Sequence, residues 1–385
     1  MKRFCLLLVL AALAACTPKK PDYIVAAFIW PSCHDDSLGR ALVWPEGRGE
    51  WEVIERGTPR FSGHYQPRQP LWGEEMDDDP QVVEKWIRTA LKYGINTFIY
   101  DWYWFHNYPF LEGALDNGFL KAPSNEKMNF FIMYANHEVT NMWNPYINSD
   151  EKTLVMDPRI DWDQWKVIVE RVIRLYFHRP NYLKFDGKPV FGLYDPRMFV
   201  KSFGSTEEAG KAMDYFREEV RKAGFPGLYV TQHTGFYKIP NEARERKTQT
   251  YADAVDLDGF AFYCMASRAE DYMEYSRRGT DWRVLWEERF APRPIFPTVS
   301  VGWDNTPRYP DKDVIVCKYN VTPQAFAVAL KDAKDYADAH AATQPKMILL
   351  NAWNEWIEGA YLLPDRLYGF GYLEAVRDVL NGKYD

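Results

Sequence analysis

The chain has 385 residues, of which 46% are hydrophobic and 26% charged. That balance belongs to a globular protein and excludes a disordered or collagen-like chain. A net charge of −7 leaves no basic field to draw it onto nucleic acid. Two domains fit the length, as does one α/β barrel with long loops.

The chain opens with Lys2 and Arg3, followed by an apolar run over residues 4–15. A spanning helix needs about 20 apolar residues, so this run reads as a signal segment. Leu13-Ala14-Ala15-Cys16 has the form of a lipobox, the cleavage signal that precedes a lipidated Cys. The expected organisation is a signal peptide over 1–15, a lipidated Cys16 on a short tether over 16–22, and one domain over 23–385. That places the protein in a bacterial cell envelope, held to the membrane by lipid. A plain secretory signal is the alternative. Of the remaining cysteines, Cys33, Cys264 and Cys317 allow at most one disulfide. With no CxxC or HExxH present, no metal site and no cofactor is expected.

Eight apolar runs then follow in order, over residues 23–28, 97–100, 130–134, 189–193, 227–231, 259–263, 294–299 and 346–350. Short continuous apolar runs suit strands buried on both faces, as in a parallel sheet. Helical periodicity lies between them. Asp79-Pro80 opens one helix, which Gly94 stops; others span 161–178, 206–223, 322–341 and 372–380. Residues 244–255 and 268–290 carry fainter helical patterns. Eight strands alternating with helices define a (β/α)8 TIM barrel with long βα loops, as a single domain. A doubly wound open sheet is the competing arrangement. It would carry a GxGxxG or Walker A loop, and neither is present.

In such barrels the chemistry lies at the carboxyl ends of the strands. Strand 1 leads to Trp30, and strand 2 to Asp101, Trp102, Tyr103 and Trp104. Strand 3 leads to Asn136, His137 and Glu138, strand 4 to Tyr194 and Asp195, and strand 5 to Gln232 and His233. Strand 6 ends at Tyr263, strand 7 gives Trp303 and Asp304, and strand 8 gives Asn351, Trp353, Asn354, Glu355, Trp356 and Glu358. Rings and carboxylates thus recur at one end of all eight strands. Aromatic faces at such a rim can stack on sugar rings. The bland reading differs by residue: Trp102 or Trp104 can pack into the wall, Asp195-Pro196 can be turn chemistry, and His137 can be a hydrogen-bonding histidine.

Glu355 and Glu358 lie three residues apart, a spacing that turns both to one side of a turn or short helix. Neighbouring indoles lower the local dielectric and can keep one of them protonated. A neutral acid beside an ionised carboxylate is what cleavage of a glycosidic bond requires.

Residues Asn351 to Tyr361, followed by Pro364-Asp365, closely resemble the signature of glycoside hydrolase family 99-like, or WbsX-like, domain proteins. Matching stretches are Gly63-His-Tyr-Gln-Pro-Arg68, Tyr93-Gly-Ile95 leading to Tyr100–Phe105, Ala135-Asn136-His137, and Phe185-Asp-Gly-Lys-Pro189. The resemblance implies a (β/α)8 barrel acting on a glycan, with Glu355 and Glu358 as the catalytic pair. By that analogy Glu355 deprotonates the sugar 2-hydroxyl, which attacks the anomeric carbon, and Glu358 is the general acid and then the base. Asp101, Trp102, Tyr103, Trp104, Asn136, His137, Glu138, Tyr194, Gln232, His233, Tyr263, Trp303, Asp304, Trp353, Asn354 and Trp356 are the expected substrate-binding residues. The sequence departs from relatives at Leu363, where an acidic residue is frequent, and at Gly49-Glu-Trp-Glu-Val53, a faint echo of a Trp-rich stretch after strand 1. Two rival functions are a glycosyltransferase of polysaccharide assembly and a surface lipoprotein that binds glycans without cleaving them.

Overall fold

The computed structural model describes residues 22–105, 107–147, 153–233, 242–265 and 269–384. Residues 1–15 and Cys16 lie outside the described residues. Each of the eight apolar runs forms a strand. They are β1 (Ile24–Ile29), β2 (Thr97–Phe105), β3 (Asn129–Tyr134), β4 (Lys188–Leu193), β5 (Tyr229–Gln232), β6 (Gly259–Ala261), β7 (Ile295–Phe296 and Thr298–Ser300) and β8 (Met347–Asn351).

Neighbours pair in parallel in chain order, and β8 pairs with β1 in the register Ile24↔Met347 to Ala27↔Leu350. Pro297 interrupts β7: its first part pairs with β6 and its second with β8. The ring therefore closes, giving a TIM-barrel α/β fold. Antiparallel pieces extend two strands, Tyr108–Phe110 on β2 and Lys184–Phe185 on β4.

The helices pack around this ring, and side-chain caps start most of them. Asp79 accepts from the Gln81 N–H at 2.8 Å before the helix Pro80–Lys92, with Pro at the first position, where its missing N–H costs nothing. Asp161, Ser205 and Thr322 do the same for the helices Trp162–Val172, Thr206–Lys222 and Pro323–Ala339. The first of these continues as a wider turn over Ile173–Phe177, so the expected helix over 161–178 is continuous. Glu242–Ala254, Tyr272–Phe290 and Gly371–Leu380 complete the outer helices.

Asp195-Pro196, for which turn chemistry is one reading of the sequence, caps the helix Pro196–Phe203. The loop after β1, in which no element was expected, carries two short helices, Ser37–Leu42 and Trp51–Ile54. Cys33, Cys264 and Cys317 are all free thiols. No helix among the described residues is long and apolar enough to cross a membrane.

Candidate active site

The cleft at the carboxyl ends of the strands has a volume of ≈ 530 Å³. Of the residues expected from the sequence, Asp101, Tyr103, His137, Tyr194, Tyr263, Trp303, Glu355 and Glu358 line it. Trp30, Met133, Trp143, Cys264 and Arg308 complete the wall.

The two glutamates are placed by a tight chain reversal after β8. Asn354–Glu355 pairs antiparallel with Ala360–Tyr361, and Trp356–Glu358 forms a single 3₁₀ turn between them. Residues three apart eclipse in a 3₁₀ turn, so the Glu355 and Glu358 carboxyls fall on one side. Gly359 closes the turn with φ +62, and a side chain there would press on Asp304.

Each carboxyl has its own partners. Glu355 Oε2 accepts from the Tyr263 hydroxyl at 3.0 Å and from Asn351 Nδ2 at 3.2 Å. Glu358 Oε1 accepts from Arg308 Nη1 at 2.9 Å, and the Glu355 carboxyl is its neighbour on the same turn. Burial raises both proton affinities. Glu355 stands well above the usual carboxylate range, driven by burial and by its neighbour Glu358. Glu358 is raised by burial, which the Arg308 guanidinium opposes. Two interacting carboxyls at such a site titrate as a pair.

Arg308 carries a second carboxylate. Its Nη2 donates to Glu50 Oε1 at 3.0 Å. Glu50 Oε2 in turn accepts from Trp30 Nε1 at 2.5 Å and Ser32 Oγ at 3.2 Å. Gly49, at φ +61, lets the loop run against the Ser32 carbonyl, where any side chain would collide. The same loop is pinned to the active-site turn by Asn354, which bonds both the N–H and the carbonyl of Trp30, at 2.9 and 2.7 Å.

The rings form a floor and walls. Trp30 meets Trp143 edge-on at 4.8 Å and Tyr103 at 5.8 Å. His137 Nδ1 faces the Glu138 carbonyl at 3.1 Å, so Nδ1 holds the proton and Nε2 accepts from the Tyr103 hydroxyl at 3.3 Å. Burial lowers the His137 pKa and keeps the ring neutral. Trp303, Tyr194 and Tyr263 are half-buried and line the cleft.

The remaining expected residues lie elsewhere. Strand parity sends Asp101 and Tyr103 inward and Trp102 and Trp104 outward. Trp102 donates to Glu112 Oε1 at 2.8 Å and stacks on Trp104. Trp353 is fully buried against Trp86 and Phe98. Trp356 and Asn354 border a smaller apolar cavity of ≈ 270 Å³ with Trp51, Trp72 and Trp86. Asn136 ties to the Asp195 backbone at 2.8 Å, and the Glu138 side chain is exposed. Gln232 and His233 are buried. His233 sits inside the barrel between Phe28 and Phe131, where burial lowers its pKa to about 3.

Asp304 accepts from His64 Nε2 at 2.9 Å, Gln66 Nε2 and Arg68 Nη2 at 2.8 Å, and Thr306 Oγ1 at 2.6 Å. These donors overcome its burial and hold its carboxyl well below the usual range. His64, Asp304 and Cys317 bring three potential metal ligands within 4.8 Å of one another. However, the Arg68 cation already occupies Asp304, and His64 Nδ1 accepts the Arg60 N–H at 3.0 Å.

Glu50 and Arg308 were not singled out from the sequence. The signal available was weak: a Glu inside the altered stretch Gly49–Val53, and an Arg in the turn Thr306–Arg308 after β7.

The molecule is thus a (β/α)8 barrel with a carboxyl-rich, ring-lined cleft at the catalytic end of the fold. The chain belongs to the family described as Glycosyltransferase WbsX, whose profile matches residues 25–376. Two strains of Xanthomonas campestris pv. campestris carry relatives named "Uncharacterized protein WxcX", each 26% identical over 372 residues and 94% of this chain. The chain spans 50% of the length of these relatives. Among solved structures, it resembles the GH99 endo-alpha-mannosidase from Bacteroides thetaiotaomicron with a TM-score of 0.56 and 14% identity, covering 93% of this chain and 96% of that one. A structure titled "Glycoside hydrolase-like protein" gives 0.59 and 17%, with 94% of each chain covered. At these identities the likeness is one of fold.

Proposed function

We propose that this domain is a glycoside hydrolase that cleaves a poly- or oligosaccharide with Glu355 and Glu358. The observation that carries the reading is the pair of buried carboxyls that one tight turn presents to a ring-lined cleft. One proton shared by two acids supplies both an acid and a base, which glycoside cleavage uses together. When a sugar enters, that proton passes to Glu358, leaving Glu355 ionised beneath the 2-hydroxyl. Glu355 takes the 2-hydroxyl hydrogen, the oxygen forms its bond to the anomeric carbon, and the glycosidic bond breaks. Glu358 gives its proton to the departing oxygen. It then takes one from the water that attacks the anomeric carbon and opens the 1,2-anhydro sugar, while Glu355 returns its proton to the 2-oxygen, so configuration is retained. Trp303, Tyr194 and Tyr263 offer faces for the sugar rings.

The family's description names glycosyl transfer, which makes transfer the second reading. A nucleotide-sugar donor brings a diphosphate. Arg308 is the one Arg or Lys among the described residues lining the cleft, and it already pairs with Glu50 and Glu358. The Glu355 carboxyl also acts on it and opposes another anion. A neutral glycan suits this cleft better.

The domain is proposed to work at a bacterial envelope, held by lipid on Cys16, as Leu13-Ala-Ala-Cys16 suggests.

Incubation with a panel of glycans and with nucleotide-sugars, followed by chromatography of the products, tests the activity. Hydrolysis of a glycan is expected, with loss of about 10²–10⁴-fold in Glu355→Gln and in Glu358→Gln. Nucleotide release with no glycan cleavage would establish transfer instead. Cleavage unimpaired in both variants would move the chemistry away from this pair.

A further inference from the structure

Tyr263 stands between two acids. Its hydroxyl oxygen lies 3.0 Å from Asp101 Oδ2 and 3.0 Å from Glu355 Oε2. A phenol carries one hydrogen, so it donates to one oxygen and accepts from the other. The carboxyl it accepts from must itself hold a proton.

The surroundings decide which one that is. Glu355 Oε2 also accepts from Asn351, and Arg308 acts on it favourably. Asp101 has neither kind of help. It is 4% exposed, and its Oδ1 is buried without a hydrogen-bond partner. The groups facing it are Tyr103 on its own strand, Tyr194 after β4, Tyr263 after β6, and Glu355 and Glu358 after β8, all phenols and acids. An anion buried with a single neutral donor is the costliest arrangement available here.

We propose that Asp101 is a neutral carboxylic acid in the working protein, a positioning residue whose own hydrogen goes to Tyr263 and so aims the phenol hydrogen at Glu355. The inference rests on the reading of Glu355 as a reacting carboxyl and extends it. With Asp101 neutral, the hydrogen bonds run one way, Asp101 to Tyr263 to Glu355. Ionised Glu355 then has two donors, Tyr263 and Asn351, as it takes the sugar's proton. Burial accordingly raises the Asp101 proton affinity well above the usual range. An ionised Asp101 would reverse the phenol and leave Glu355 with Asn351 alone.

Infrared spectra of the full chain at neutral pH, wild type against Asp101→Asn, test this without any substrate. The wild type is expected to show a protonated-carboxyl C=O stretch that Asp101→Asn lacks and Glu355→Gln retains. Loss of carboxylate bands instead, with the protonated stretch unchanged, would overturn the proposal. Kinetics give a second readout. Asp101→Leu should lower kcat roughly 10- to 100-fold, the scale on which partners of reacting groups act. Asp101→Asn, whose amide donates from the same place, should recover most of that loss. Equal losses in the two variants would also overturn it. If the wild type cleaves no glycan, the hydrolase reading fails while the infrared result still decides the state of Asp101.

Discussion

At the scale of single residues, the site is an argument about where protons rest. Burial raises both Glu355 and Glu358; Arg308 opposes this at both, and hydrogen-bonds to Glu358 alone. In the proposed roles the two acids respond differently to a substrate's leaving group. Glu358→Gln should abolish cleavage of a natural glycoside, whose alcohol leaves only when protonated. The same variant should retain much of its first-step rate on a glycosyl fluoride, which needs little protonation. Glu355→Gln should be slow on both, because it activates the attacking oxygen whatever leaves. Rates measured on the paired substrates check this; the same leaving-group dependence in both variants would refute the division of roles.

At the scale of elements, the turn that carries the glutamates is held from outside by Asp304. The Asp304 N–H donates to the Glu358 carbonyl at 2.5 Å, while its carboxylate gathers His64, Gln66 and Arg68 from the loop after β1. An unfolded Asp titrates near pH ~3.9, whereas here the native donors hold the group well below that. A depressed native pKa contributes stability that is fully present above the unfolded value. That contribution is lost as pH falls through the native one. Asp304→Asn should cost about 3 kcal/mol at neutral pH, since it leaves Arg68 buried without its counter-charge. The gap to wild type should narrow as the solution drops below pH ~4. Denaturant melts across that range would show it, and a gap independent of pH would remove Asp304 from this role.

At the scale of the whole molecule, the barrel was legible because its strands are buried on both faces. Runs such as residues 130–134 read as strand wherever they occur. Helices were legible where a cap announced them, as at Asp79 and Thr322, and missed where four to six residues are too few to show a period, as in Ser37–Leu42 and Trp51–Ile54. For the site, position at a strand end was informative, but facing was not. Trp102 and Tyr103 are neighbours in sequence and lie on opposite faces of the barrel wall, and only the register with β3 settles which turns inward. The Glu50–Arg308 pair joins residues 258 positions apart, a distance no local pattern can reveal. The proposed anchor also belongs to this scale. Cys16→Ser should move the protein from the membrane fraction to the soluble envelope fraction. Mass spectrometry showing an unmodified N-terminus at another residue would dismiss the anchor.

The bridge from Glu50 through Arg308 to Glu358 ties two properties that enzymes usually vary separately. Glu50 rides on the loop after β1, which also supplies Trp30 to the cleft wall. Under the proposed chemistry, rewriting that loop to accept a different substrate would also change how firmly Arg308 is drawn away from Glu358, and with it the acidity of Glu358. Divergence in this family should therefore move substrate range and pH optimum together. A chimera that borrows a relative's first loop would inherit part of the relative's acid–base behaviour without any change in the turn that bears the glutamates.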